Sequence, residues 1–264
     1  MAMMDKAKWN ELLTRAVNEP GVIHSAYSAF HTYSTGNQLA ALFQCMERGI
    51  QPGPLRTYKA WQAAGRQVRR GEKALWLCMP MVVKDKVRVD QNGDPKRATI
   101  FTWKPYWFVM SQTDGETMPV AALPEWNEEN ALAGLNITRV EFAHTNGNVA
   151  GYAKDRTVAV SPIAPLPYKT LFHELAHVVL GHTDHEDHDA NLPRSLREVE
   201  AESVAMLVLE SLGLDGAEYC RGYIQNWLES ESIPDASAGR IFSAADKILK
   251  AGTVTVSAET AVAA

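Results

Sequence analysis

No two of the three cysteines in this 264-residue chain, Cys45, Cys78 and Cys220, stand close enough to form a C-x-x-C pair. A disulfide framework or a cysteine zinc site is therefore not expected, and buried reduced thiols are the simplest reading. Long apolar runs are lacking as well. The stretch 74–83 falls far short of the roughly 20 residues a membrane-spanning helix needs. The opening residues show no cationic segment leading into an apolar one, so no secretory signal is expected. A cytoplasmic protein that stays off membranes follows. There is no internal repeat and no Walker A loop: the glycine-bounded segment 65–73 has the wrong spacing, and no Ser or Thr follows Lys73. With 46% hydrophobic and 22% charged residues, the composition is that of a soluble globular protein.

Charge is unevenly spread. Residues 1–115 hold 16 Lys and Arg against 9 Asp and Glu, a net +7, and the remainder is −12. A basic block followed by an acidic one suggests two domains, the first facing a polyanion.

Apolar periodicity predicts helices over 5–17, 37–49, 57–64, 195–212, 222–228 and 238–249. Two runs rich in β-branched and aromatic residues, 74–83 and 99–110, read as a long hairpin around an Asn92-Gly93-Asp94 turn. Residues 112–136 are polar and rich in proline and glycine, and the domain boundary is placed there. Short strands follow at 138–142, 149–153 and 157–160. The last of these is expected to pair with an extended peptide. Residues 251–264 are small and of low complexity and are expected to form a disordered tail.

The most informative feature is Leu171-Phe172-His173-Glu174-Leu175-Ala176-His177. On a helix, His173 and His177 stack one turn apart on a single face, so two imidazoles can reach one zinc ion while Glu174 takes a proton from the attacking water. The flanking positions are apolar, and two histidines and a glutamate are costly to bury there without a partner. A third ligand is needed. The candidates are His182, His185, His188, Glu198, Glu200 and Glu202. The helix around Glu198 is the better source, because Glu198, Ala201, Glu202 and Ala205 share a face and two alanines permit close approach. Glu198 is then the ligand and Glu202 a hydrogen-bond partner for a ligating histidine. Glu200 points away in this register, but both it and Glu202 stay open as alternatives.

This pattern resembles the gluzincin metallopeptidases, and H-E-L-A-H followed by E-x-E-A-E resembles the ImmA/IrrE-like group. The resemblance implies one Zn2+, Glu174 as general base and a peptide substrate. A tyrosine (Tyr152, Tyr168, Tyr219 or Tyr223) is a possible oxyanion stabiliser.

In the basic half, Arg56, Tyr58, Lys59 and Trp61 precede Arg66, Arg69, Arg70 and Lys73, so cations for phosphates alternate with rings for unpaired bases. Trp61 itself reads first as a core ring. Tyr33, Asn37, Tyr58, Trp61, Gly65-Arg66, Gly71-Glu72-Lys73, Trp107-Phe108 and Gln112-Thr113 together resemble the single-stranded-DNA-binding domain of ArdC-type antirestriction proteins of mobile elements. That resemblance implies an α+β chain of two domains. A helix-plus-hairpin DNA-binding domain would span 1–120 and a zincin-like domain 130–250. It adds Tyr33, Asn37 and Trp61 to the DNA contacts and implies protection of incoming DNA from restriction. The alternative is a regulatory zinc metalloprotease whose first domain binds a protein.

Overall fold

The structure, a computed structural model, describes residues 8–89, 95–116, 118, 122–143, 148–183 and 192–254. The Asn92-Gly93-Asp94 turn, His185, His188 and residues 255–264 lie outside them. The chain forms two compact units, one of residues 40–116 and one that joins 8–39 to the carboxy-terminal part.

The first unit is built on a hairpin. Strand β3 (Leu75–Val89) pairs antiparallel with β4 (Pro95–Val109), and β1 (Leu55–Thr57) adds to the other side of β4, giving the order β1-β4-β3. The edge of β3 is partly closed by Gln44 of helix α3 (Thr35–Arg48). Its side chain accepts from Trp76 N at 2.9 Å and donates to Trp76 O at 2.9 Å, mimicking a neighbouring strand. Leu75, Leu77, Val109 and Trp61 of the short helix α4 (Tyr58–Ala63) are fully buried. A two-residue pairing of β2 (Gln67–Val68) with β5 (Thr113–Asp114) completes the unit.

The second unit takes in more of the amino terminus than the sequence reading gave it. Helices α1 (Trp9–Asn18) and α2 (Val22–Phe30) belong here, as do residues 35–39 of α3, so the expected 1–120 domain is divided. Arg221 and Glu210 supply the physical reason. The guanidinium of Arg221 donates to Ala16 O and Val17 O, the unsatisfied carbonyls at the end of α1. Glu210 pairs with it and accepts from Gly21 N and Ile23 N at the start of α2. Arg221 and Glu210 lie on α8 (Ala217–Leu228) and α7 (Arg194–Leu212), so the charged pair seats both early helices on the later ones.

Helix α5 (Glu128–Leu135) lies within the segment read as a boundary, capped by Asn127. The small sheet of this unit has the order β6-β8-β7: β8 (Thr157–Val160) pairs parallel with β6 (Thr138–Arg139) and antiparallel with β7 (Gly151–Lys154). The expected peptide-binding strand 157–160 is thus central and already paired on both sides; β7 is an edge. Helix α9 (Asp235–Gly252) runs further than expected, with Thr253 bridging Trp126 and Val254 N bonding to Glu125 O. Residues 251–254 are ordered structure and not tail. Among the described residues, no helix is long and apolar enough to cross a membrane.

Candidate functional site

Helix α6 (Pro167–Leu180) begins with proline at its first turn, where no backbone N–H is lost, and ends at Gly181 with φ of 80°. Its apolar face, Leu171, Phe172, Leu175 and Val178, is buried, and the helix packs on α7, β7 and β8. Ala201 and Ala205 of α7 are fully buried, so their helix carries no bulk on this face. Here the two histidines meet Glu198.

Three donor atoms form a near-equilateral triangle. His173 Nε2 and His177 Nε2 are 3.1 Å apart, and Glu198 Oε2 lies 3.5 Å from the first and 3.6 Å from the second. A point equidistant from these corners is about 2.0 Å from each, which is the bond length of a zinc-type ion to imidazole and carboxylate. Among the described residues, this is the cluster of His, Cys, Asp and Glu with metal-holding geometry. Two imidazole nitrogens facing each other at 3.1 Å need either a proton or a cation between them, so the donor set fits a divalent transition metal.

The surroundings are charged but matched. Glu202 Oε1 is 3.2 Å from His173 Nδ1 and accepts from Lys169 Nζ at 2.7 Å. Burial opposes the charge of His173, yet contacts with Glu198 and Glu202 outweigh it and raise its pKa to about 9. Hydrogen bonds from His173 and His177 hold Glu198 well below the usual carboxylate range. Glu174 is 9% exposed, and burial pushes its carboxyl up despite the two histidines nearby. The pKa of the Tyr223 hydroxyl is raised by burial and, secondarily, by the charges of Glu198 and Glu202.

Two residues that the sequence reading weighed only as candidate ligands belong to this network. His182 contacts His177 at 3.0 Å through their Nδ1 atoms. Glu200 does point away from the triangle, but it is fully buried and its Oε2 is 3.0 Å from His182 Nε2. Gly151 of β7, which the sequence reading did not single out, adjoins them: a Cβ there would stand 2.5 Å from Thr170 Cγ2 and 3.2 Å from Glu174 Cγ. The edge strand therefore runs directly against the general-base candidate, an approach only glycine permits.

The expected DNA contacts separate into two groups. Trp61 is fully buried and its Nε1 donates to Phe108 O at 2.7 Å. Arg66 is buried, with Nε on Thr113 Oγ1 at 2.8 Å, a second nitrogen on Thr113 O at 3.0 Å and a third on Glu116 O. Both are buried and structural, and their assignment as contacts is corrected: the Trp61 ring is covered, and the Arg66 guanidinium is turned inward to Thr113 and Glu116. Glu72 and Gln112 of the same motif also hold each other, at 3.0 Å. Arg69 bonds Glu72 and Ser111 O but keeps an exposed flank. Tyr58, Arg70 and Lys73 are exposed. Tyr33 and Asn37 belong to the other unit, Tyr33 O accepting from Gln38 Nε2 at 2.7 Å. The sequence reading missed the outer face of the hairpin, where the register puts Trp76, Trp103 and Phe101 on one side and Leu77 on the other. Phe101 is 72% exposed, and Tyr106 is also exposed.

In fold this chain is ArdC-like. It is similar to the crystal structure of antirestriction ArdC protein from R388 plasmid in its metal-free form, with a TM-score of 0.53, 21% identity, and coverage of 92% of this chain and 94% of that one. The Mn(II)-bound structure of that protein gives 0.53 and 18%, with coverage of 92% and 97%. Residues 4–108 match the family model for the N-terminal domain of anti-restriction factor ArdC. Two DNA primases TraC of Escherichia coli are 25% and 26% identical over 232 and 234 residues, which is 77% and 78% of this chain. Those matches cover only 16% and 22% of the primases, so the chain spans about a fifth of the length of the curated relatives it matches.

Proposed function

We propose that this chain is an antirestriction protein of a mobile element, which binds single-stranded DNA through the unit of residues 40–116 and holds one zinc ion in a peptidase-type centre in the other. What supports the reading is one conjunction: a segment matching the ArdC amino-terminal family and a His-His-Glu donor triangle with a buried glutamate beside it, in the same chain. The plasmid origin of the similar ArdC structure and the DNA-directed names of the primases agree with it. The Mn(II)-bound relative supports a divalent metal. Two imidazoles favour zinc, because manganese is the weakest of the first-row divalent ions at nitrogen donors.

His173, His177 and Glu198 would hold a zinc ion, which would supply a Lewis acid for a peptide carbonyl. The chain's own groups do the rest. Glu174, its carboxyl raised by burial, takes the proton of the attacking water and passes it to the leaving amine. Tyr223 donates to the developing oxyanion. The edge of β7 pairs with an extended peptide, and Gly151 lets that peptide pass close to Glu174. On the DNA side, Trp76, Trp103 and Phe101 stack on unpaired bases, while Lys59, Arg70 and Lys73 meet phosphates.

Anisotropy of labelled single-stranded and duplex oligonucleotides over a salt series tests the DNA half. The expected result is tighter binding of the single strand and a steep loss of affinity with salt. No binding to either, with a peptide still cleaved, would turn the reading into that of a regulatory metalloprotease.

A further inference from the structure

His182 lies outside the donor triangle, yet three separate contacts fix it. Gly181, in the left-handed region at φ of 80°, ends α6 in a turn whose two backbone bonds run from Gly181 N to Val178 O and from His182 N to His177 O, the latter at 2.9 Å. That turn brings the ring of His182 back onto the ring of His177, five residues earlier. The two Nδ1 atoms then meet at 3.0 Å, and the far nitrogen, Nε2, lies 3.0 Å from Glu200 Oε2. Glu200 is fully buried on α7, and its other oxygen accepts from Arg240 of α9 at 2.6 Å. Arg240 also reaches Ser237 Oγ at 3.3 Å. A carboxylate this far from solvent is costly to bury unpaired, and the half-buried Arg240 supplies its partner.

An imidazole that gives its Nε2 lone pair to a cation must carry its proton on Nδ1. His177 Nδ1–H then donates, and His182 Nδ1 accepts. The proton of His182 is thereby placed on Nε2, where it donates to the carboxylate of Glu200, which has no proton of its own to offer. Reversing the His177–His182 bond would leave His177 protonated on Nε2 and unable to bind a metal.

We propose that His182 is a positioning residue for His177, held by Glu200 and Arg240 so that His177 is kept in the Nδ1-protonated form that ligates metal. This rests on the metal-centre reading. The two ligands are then oriented by different devices: His173 faces Glu202 directly, whereas His177 reaches its carboxylate through a second histidine.

Zinc affinity of the full chain, measured by competition with a chromophoric chelator, tests the proposal. His182→Ala is expected to weaken binding by about 10- to 100-fold, the usual effect of removing a ligand's partner. His182→Asn, whose amide oxygen takes the acceptor position of Nδ1, is expected to recover most of it. Equal affinity of His182→Ala and wild type, or equal loss in both variants, overturns the proposal. Absence of zinc binding by the wild type overturns the metal-centre reading, and the proposal with it. Nitrogen-15 spectra of the zinc-loaded wild type give a readout that no folding defect can confuse. His182 is expected to be protonated on Nε2 and bare on Nδ1, and a proton on its Nδ1 contradicts the relay.

Discussion

The two units treat charge in opposite ways. In the unit with the donor triangle, acids are drawn inside: Glu174, Glu200 and Glu202 are all buried, beside His173 and His177, Arg240 and Lys169 respectively. In the unit of residues 40–116, Arg66 is the one buried charge among the described residues, and Lys59, Arg70 and Lys73 stand at the surface. A buried charge must have its partner in place, so each of those acids specifies a neighbour. A surface cation costs little to move, and a face built from several is specified only collectively. Substitutions should therefore act decisively in the unit with the donor triangle and by degrees in the unit of residues 40–116.

The largest effect expected is at the triangle. Three protein ligands sharing the roughly 10–16 kcal/mol of a zinc site put about 3–5 kcal/mol on each, so His177→Ala should weaken zinc binding by about 100- to several thousand-fold. A loss of only a few-fold in an equilibrium titration would break the comparison at its strongest point. Zinc affinity should also depend on pH. In the metal-free chain His173, raised to about 9 by Glu198 and Glu202 over the opposing effect of burial, holds a proton that zinc must displace. Affinity should then rise by about tenfold per pH unit between neutrality and pH 9. The same shift stabilises the metal-free fold fully below pH 6.5, and this contribution is lost as pH climbs through about 9. A pH-independent affinity over that range would contradict the assignment.

In the basic unit, Trp61→Ala should cost about 3–5 kcal/mol in denaturant unfolding, because it empties a fully buried site. Arg66→Ala should cost about 1–3 kcal/mol by orphaning the Thr113 and Glu116 carbonyls, with no change in the salt dependence of DNA binding. A reduced salt slope with the fold intact would return Arg66 to the phosphate contacts. Smallest are Arg70→Ala and Lys73→Ala, each lowering the salt slope by about 1 and leaving stability within about 0.5 kcal/mol.

Legibility in the sequence followed the same division. The register of His173, His177, Glu198 and Glu202 was readable because one helical period relates the members of each pair, and burial demanded that the pairs meet. Glu200 was weighed only as an alternative ligand, since its contact with His182 depends on that residue doubling back through the turn at Gly181. Helix α2 carried a plain signal, with Val22, Ile23, Ala26, Tyr27 and Phe30 on one buried face after a glycine in the left-handed region. Other features were not locally encoded. Arg66 is buried by Thr113, 47 residues away, and β8 is central because β6 joins it in parallel. The membership of 8–39 in the second unit depends on the Arg221–Glu210 pair, about 200 residues from the helices it holds. Single-residue spacing has no access to such distances.

Glu198 is the residue that completes the triangle. Zinc content after exhaustive dialysis of the wild type, Glu198→Ala and Glu202→Ala tests this most directly. The prediction is one zinc per chain in the wild type, none in Glu198→Ala, and one, more weakly held, in Glu202→Ala. Zinc retained by Glu198→Ala and lost by Glu202→Ala would contradict it.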